Sequence, residues 1–191
     1  VMDLCRTHTV YPLCGNCDGL VYRFFQGDEL DRRFFSFYLP QHPESTLRQL
    51  AREGGFDQTD DLPRLRADLR SAYPEECRFL SRMPTILETE HLVFVHGGVP
   101  SLDHMDQLDR WRCMKIDDFL GQGHAFDKWV IVGHWPVTLY RPDIQSAAPI
   151  LLPGRRIASI DGGCVLKKDG QLNALILPEE SSQNFTWTAW D

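Results

Sequence analysis

The sequence predicts an α/β (α+β) fold, and three observations support this prediction. Short apolar runs of strand length, such as residues 92–95 and 128–132, end in glycine beside a polar residue. Other segments repeat apolar residues at three- and four-residue spacing, as Leu47, Leu50 and Ala51 do, and these segments predict helices. The 191 residues suffice for one domain with a sizeable core and are too few to favour two.

Composition and charge argue against two classes of protein. Hydrophobic residues make up 42% of the chain and charged residues 25%, which is typical of a globular protein, and no apolar run is long enough to cross a bilayer. The net charge of -7 argues against a general nucleic-acid surface, because a polyanion requires a basic patch. The net charge is still compatible with a small phosphorylated substrate that binds at a local cationic site. The sequence leaves the oligomeric state open.

The six cysteines predict free thiols. They are Cys5, Cys14, Cys17, Cys77, Cys113 and Cys164. A chain of this size does not need disulfides to stabilise its core, and no signal-peptide pattern opens the sequence. We therefore expect a cytoplasmic protein with no membrane association.

The first elements predicted are a helix, a strand and a second helix. Helical spacing over residues 1–6 predicts the end of a helix, and the β-branched and aromatic residues of 7–14 predict a buried strand. Asn16 would then stand at the end of this strand. Residues 18–26 predict a helix, with Asn16 or Asp18 near its N-cap.

Residues 30–82 predict a helical insertion within a single domain that covers residues 1–191. This segment is divided into short helices by the pair Gly54-Gly55 and by prolines at 40, 43, 63 and 74, with a fifth proline at 84 just after it. Most of it is expected to pack over the sheet, since aromatic clusters such as the one at 34–38 belong more often to a core than to a binding surface.

The second half of the chain predicts most of the sheet. Helical spacing predicts one further helix, over residues 105–120. A hairpin over 165–177 is expected to turn at Asp169 and Gly170. The remaining predicted strands cover residues 85–90, 92–95, 128–132, 156–160 and 185–190.

Four predicted strands end in a polar residue beside glycine: Asn16, His96, His134 and Asp161. The carboxyl ends of strands in an α/β sheet converge on the crevice where ligands bind. Two imidazoles and an amide oxygen suit Mn²⁺, Fe²⁺ or Zn²⁺, although a centre with two metal ions also requires carboxylates. For His96 the alternative is that it only caps its strand by a hydrogen bond to a loop carbonyl.

Three short segments stand at predicted strand ends, CGNCD at 14–18, VHGGV at 95–99 and VGHWP at 132–136. In order and spacing they resemble the third, fourth and fifth signature motifs of calcineurin-like metallophosphoesterases. SIDGGC at 159–164, together with 170–177, resembles the closing hairpin of the bacterial branch. That branch includes Ser/Thr phosphatases and symmetrical dinucleoside-tetraphosphatases.

This resemblance implies two packed mixed β-sheets flanked by helices, with two divalent metal ions (Mn, Fe or Zn) bound at the strand ends in the complete protein. Asn16, His96 and His134 would bind one of these ions. The carboxylate motifs that bind the other ion are expected upstream of Val1, so a strand-helix-strand portion is expected to precede residue 1.

The resemblance also implies roles for residues beside the metal. Cys17 stands where the phosphatases have a histidine as general acid, and Asp18 would orient its neighbours. Arg110, Arg112 and Lys115 lie between the two histidine motifs, where related phosphatases have a phosphate-binding arginine. We favour Arg112, although each of the three fits a solvated helix face equally well.

The function expected is hydrolysis of a phosphomonoester or phosphodiester by a metal-activated water, on a small substrate or a phosphoprotein. Cys17 resembles the phosphodiesterase pattern, whereas GHWP resembles the Ser/Thr phosphatase branch. A phosphodiesterase or dinucleoside-polyphosphate hydrolase is therefore one alternative, and a catalytically incomplete binding module is another. A third alternative is a thiol-disulfide oxidoreductase that uses Cys14 and Cys17, which stand in a Cys-x-x-Cys pattern.

Overall fold

A computed structural model describes residues 1–27, 29–57, 61–99, 109–144, 146–164, 170–177 and 186–190. The chain divides into two compact units. The helical unit comprises Val1–Pro12 and Asn16–Met83, and the sheet unit comprises Leu13–Gly15 and Pro84–Asp191. The helices and sheets confirm the α+β class. The single domain with an insertion at 30–82 stays a prediction.

The helical unit is built from short helices around a core rich in phenylalanine. Phe24, Phe25 and Phe35 are almost completely buried, together with Leu65 and Leu69. In the described part of this unit the helices are α1 (Met2–Thr7), α2 (Asn16–Gln26), α3 (Glu29–Gln41), α4 (Thr46–Glu53), α5 (Leu62–Ala72) and α6 (Pro74–Arg82).

Local sequence explains where α5 begins and which face it buries. Asp61 caps the helix, since its carboxylate accepts a hydrogen bond from the backbone N of Arg64 at 3.3 Å. Leucines at 62, 65 and 69 follow the helical repeat and are buried. The Nε of Arg66 donates to the carbonyl of Phe24 at 2.7 Å, which satisfies a carbonyl near the end of α2.

The sheet unit contains a five-stranded mixed sheet in the order β1-β2-β3-β5-β4. Its three central strands are parallel to one another, and each edge strand is antiparallel to its neighbour. The strands are β1 (Ile86–Glu88), β2 (Leu92–Val95), β3 (Trp129–Val132), β4 (Ile150–Leu152) and β5 (Ile157–Ser159). A second sheet pairs β6 (Leu172–Ile176) with β7 (Thr186–Trp190) in antiparallel fashion.

The two faces of the five-stranded sheet pack against different partners. Valines of β2 and β3 contact Cys113 of α7 (Arg110–Met114) and Phe119 of α8 (Phe119–Gln122). On the other face, Trp129 and Ile131 pack with Leu175 of β6. Burial on both faces explains why β3 is a continuous apolar run. The helix α9 (Val137–Tyr140) follows β3.

Most of the predicted strands are confirmed, and several of them are shorter than predicted. The prediction of a strand at 7–14 is wrong. Residues 8–15 are neither helix nor strand, and Asn16 begins α2 instead of ending a strand. Pro12 has no N–H to donate to a neighbouring strand. Residues 105–108 of the predicted helix, and Asp169 of the predicted turn, lie outside the described residues.

The rest of the predicted helix at 105–120 is interrupted, since α7 ends at Met114 and α8 starts at Phe119. Asp118 starts the new helix, because its carboxylate accepts from the backbone N of Gly121 at 3.0 Å. Within the described ranges, the helices are all too short or too polar to cross a membrane.

Candidate functional site

His96 and His134 follow neighbouring parallel strands of the sheet. Val95 of β2 pairs with Val132 of β3, His96 comes directly after β2, and His134 comes after Gly133. The backbone N of Gly133 donates to the carbonyl of His96 at 2.9 Å, which fixes the two strand ends side by side. The two imidazole ring centroids are therefore only 5.2 Å apart, with the ring planes at 56°.

The diglycine after His96 is required by close packing of the backbone. The backbone N–H groups of Gly97 and Gly98 donate to the carbonyl of Cys113 at 2.9 and 3.0 Å. A Cβ added at Gly97 would lie 2.7 Å from the backbone N of Ile116, and one at Gly98 would overlap the ring of Phe119. The turn after β2 is thus held against residues 113–116, and His96 is half-buried beside it.

His134 occupies a less common backbone conformation. Its φ is +62°, in the left-handed region that residues other than glycine rarely adopt. The side chain is 12% exposed, and its Nε2 lies 3.1 Å from Oδ1 of Asp117. Since an ionised carboxylate only accepts hydrogen bonds, Nε2 donates, and in the tautomer with its single proton on Nε2 the acceptor lone pair is on Nδ1.

Asp117 is the residue that the sequence interpretation missed. It stands beside Asp118 in the segment between α7 and α8, where the two carboxylates look equivalent. The N-cap of α8 accounts for Asp118 alone. The sequence contained one signal of a partner for His134. Asp117 is a second acidic residue that the cap does not use, and it lies close in sequence to Arg112 and Lys115.

Asp161 stands near the end of β5, the strand that neighbours β3. Its Oδ1 accepts a hydrogen bond from the backbone N of Gly163 at 2.8 Å, and its backbone carbonyl accepts from Val137 N at 2.8 Å. This carboxylate therefore stabilises its own turn. The structure places Asp161 at the carboxyl edge of the sheet, as predicted for a residue that follows a strand.

The two histidines fit as two ligands of one metal ion. Two imidazoles bound to a tetrahedral ion at about 2.0–2.1 Å have ring centres roughly 5 Å apart, close to the separation of His96 and His134. Among the described residues, no group of three or more His, Cys, Asp and Glu side chains is arranged to hold a metal ion. The pair by itself would complete only part of a coordination shell.

The predicted site residues Asn16, Cys17 and Asp18 lie in the first turn of α2, in the helical unit. Asn16 is half-buried and its Nδ2 lies 3.9 Å from Sγ of the exposed Cys17. Asp18 lies in the first helical turn, where a carboxylate is favourable. The roles of Asn16 as a ligand, Cys17 as a general acid and Asp18 as an orienting group stay predictions.

Neither cysteine of the Cys-x-x-Cys pattern is in a disulfide. Cys14 is buried, and its Sγ lies 3.6 Å from the carbonyl of Gly15, whereas Cys17 is exposed. A thiol-disulfide oxidoreductase that uses Cys14 and Cys17 stays a prediction.

The three basic candidates lie on or just after α7. The Nε of Arg110 donates to Oγ1 of Thr85 at 2.8 Å, so this side chain is held by the residue before β1. Arg112 and Lys115 are exposed. The backbone N of Lys115 lies 2.8 Å from where a Cβ on Gly97 would stand, so α7 ends beside the turn that follows His96.

Cys113 anchors this turn through its carbonyl and contributes its side chain to the core. Burial raises the pKa of the Cys113 thiol, and the nearby Asp109 carboxylate raises it further. The thiol is therefore neutral at physiological pH, and its role is in packing.

Comparisons with known proteins identify no relative of this chain: no family model matches, and neither the curated proteins nor the solved structures contain a match.

Proposed function

We propose that this chain belongs to a metal-dependent phosphoesterase in which His96 and His134 are ligands of one divalent ion. The observation that carries the proposal is the juxtaposition of the two imidazoles, 5.2 Å apart at the carboxyl ends of neighbouring parallel strands. Ligands in α/β sheets bind at this edge. The resemblance of 95–99 and 132–136 to metallophosphoesterase motifs gives the reaction class.

The contact between His134 and Asp117 supports a role for His134 as a ligand. Histidines that bind metals commonly donate their other ring N–H to a carboxylate, which fixes the tautomer and the ring orientation. His134 donates from Nε2 to Asp117 at 3.1 Å, so Nδ1 is the nitrogen left to bind an ion. Asp117 would then be a positioning residue of this site.

The proposed chemistry is attack of a water molecule on a phosphoester. A divalent ion bound by His96 and His134 would lower the pKa of bound water and stabilise charge on the phosphoryl oxygens. Arg112 and Lys115, at the end of α7 beside the turn after His96, would bind the remaining oxygens of the phosphoryl group. Phosphomonoesters, phosphodiesters and dinucleoside polyphosphates are all substrates of this chemistry.

The first test measures metal binding directly. Mn²⁺ would be titrated into the chain and followed by electron paramagnetic resonance, for the wild type and for His96→Ala and His134→Ala. Each variant should weaken Mn²⁺ binding by about tenfold or more, because each removes one of few ligands. His91→Ala is the matched control, since His91 precedes β2 and is exposed.

The second test measures turnover of p-nitrophenyl phosphate and bis(p-nitrophenyl) phosphate with Mn²⁺. We expect hydrolysis by the wild type, loss in both histidine variants and no change in His91→Ala. Preference for one compound separates a monoesterase from a diesterase. Metal binding without turnover of either compound would favour the binding-module alternative. If both histidine variants bind Mn²⁺ as the wild type does, the ligand assignment is wrong.

A further inference from the structure

A second candidate site in the sheet unit is a cavity of about 680 Å³ next to the segment that follows α9. Neither His96 nor His134 lines it. The lining residues that matter here are Thr138, Leu139, Arg141, Ile144, Gln171 and Trp187. This volume is in the range of cavities that hold small organic molecules.

Arg141 brings a positive charge to this cavity that no carboxylate of the described residues neutralises. Its Nη2 donates to the carbonyls of Ser146, at 3.2 Å, and Ala148. Both acceptors are neutral, and within the described ranges no ion pair joins Arg141 to Asp143 or to any other acidic residue. The cavity therefore has a cationic wall.

Two polar atoms of the lining are buried without a hydrogen-bond partner, the Nε of Arg141 and Oγ1 of Thr138. Buried polar groups in folded proteins are nearly always paired, so such atoms call for an explanation. Both residues line the cavity, so an acceptor bound there is one way to satisfy these donors. An anionic ligand provides such acceptors, and it also complements the guanidinium charge.

The lining also includes three large apolar side chains that are exposed. Leu139, Ile144 and Trp187 are 42%, 54% and 45% exposed, and all three line this one cavity. Apolar side chains that cluster around a concave site are typical of ligand pockets. The indole of Trp187 offers a flat surface for the stacking of an aromatic ring.

We propose that this cavity binds a small planar aromatic anion, with its ring against Trp187 and its anionic group on Arg141. The anionic group is a carboxylate or a phosphate monoester, because the oxygens of both accept charge-assisted hydrogen bonds from a guanidinium. The proposal does not rest on metal-dependent phosphoesterase activity. It predicts that a ring and a negative charge are both needed for binding.

The test uses three single-ring probes with EDTA present, so that metal binding at the histidines does not contribute. Phenyl phosphate and phenylacetate separate the two anionic groups, and benzyl alcohol is the neutral control. Tryptophan fluorescence and NMR would follow each titration to millimolar concentrations. We expect saturable binding of at least one anion, about tenfold tighter than that of benzyl alcohol.

Variants then locate the binding. Arg141→Met should weaken binding of the anion by about tenfold, and Trp187→Leu by about fivefold, whereas Arg141→Lys should retain most of it. Arg33→Met and Tyr11→Leu replace exposed residues of the helical unit and should leave binding unchanged. If Arg141→Met disturbs the loop whose carbonyls it binds, Trp187→Leu decides, because this side chain is partly exposed.

Three results would overturn the proposal. One is no saturable binding of either anion at millimolar concentrations. Another is equal binding of benzyl alcohol and the anions, and the third is unchanged binding in both Arg141→Met and Trp187→Leu.

Discussion

The turns that follow β2 and β3 have similar sequences but different structures. Both contain a histidine beside glycine at the end of an apolar strand. After β2 the histidine comes first, and Gly97 packs against the backbone of residues 113–116, while Gly98 packs against the ring of Phe119. After β3 the glycine comes first, and His134 itself adopts the left-handed conformation. The turn after β2 therefore needs glycine because the backbone is closely packed there. The turn after β3 instead has backbone strain at His134.

The largest effect should come from filling the space at Gly97. In Gly97→Ala the new Cβ would lie 2.7 Å from one backbone nitrogen and 2.9 Å from the carbonyl oxygen of Cys113, and backbone atoms cannot move aside as a flexible side chain can. We expect a loss of about 2–3 kcal/mol in the free energy of unfolding, measured by urea denaturation.

Gly154→Ala is the matched control for this variant, because nothing lies within 4 Å of a Cβ at that position. Its unfolding free energy should stay within about 0.5 kcal/mol of the wild-type value. Equal losses in the two variants would mean that the turn after β2 is not closely packed.

A smaller effect, of opposite sign at the two turns, should distinguish the backbone conformations of the histidines. At position 134 we expect His134→Gly to be more stable than His134→Ala by about 1 kcal/mol, because alanine must adopt the left-handed conformation and glycine does so freely. At position 96, outside that region, His96→Ala should be more stable than His96→Gly by about 0.5 kcal/mol.

The comparison within each position cancels the loss of the imidazole, including the hydrogen bond from His134 to Asp117. Urea denaturation of the four variants provides the measurement. The same sign at both positions would contradict the structural difference between the turns.

The sequence predicts the strands of this site well, because local patterns determine them. Strands buried on both faces are continuous apolar runs, and the expected runs at 92–95 and 128–132 match β2 and β3 within one residue. The run at 7–14 is also rich in β-branched and aromatic residues but forms no strand. A strand needs a neighbour to pair with, and composition alone does not provide that information.

The parts of the site that the sequence did not reveal depend on contacts between distant residues. The sequence predicts that His96 and His134 converge at strand ends, but it does not predict that β2 and β3 are neighbours and pair in parallel. The contact of Asp117 with His134 spans 17 residues and depends on where α7 ends. The left-handed φ of His134 follows from the geometry of the turn, since glycine stands one residue too early to adopt it.

The smallest effect should be a pH dependence of stability that belongs to the turn after β2. Burial is the main cause that raises the pKa of the Cys113 thiol above its ordinary value of 9.0, so the folded state holds the proton more tightly than the unfolded state. This contribution to stability is complete below the ordinary pKa. It is lost as the pH rises toward the pKa of the folded state, because the unfolded thiol ionises first.

Removal of this thiol should flatten the alkaline part of the stability curve. Urea denaturation from about pH 8 to about pH 10 should show a smaller decrease in unfolding free energy for Cys113→Ala than for the wild type. Cys77, Tyr38 and Tyr140 also have raised pKa values, so some decrease will persist in the variant. Cys164→Ala, at an exposed cysteine, is the control. Parallel curves of unfolding free energy against pH for the wild type and Cys113→Ala would contradict this prediction. They would show that the thiol ionises as readily in the folded chain as in the unfolded one. The packing of α7 against the turn after β2 would then be looser than the structure indicates.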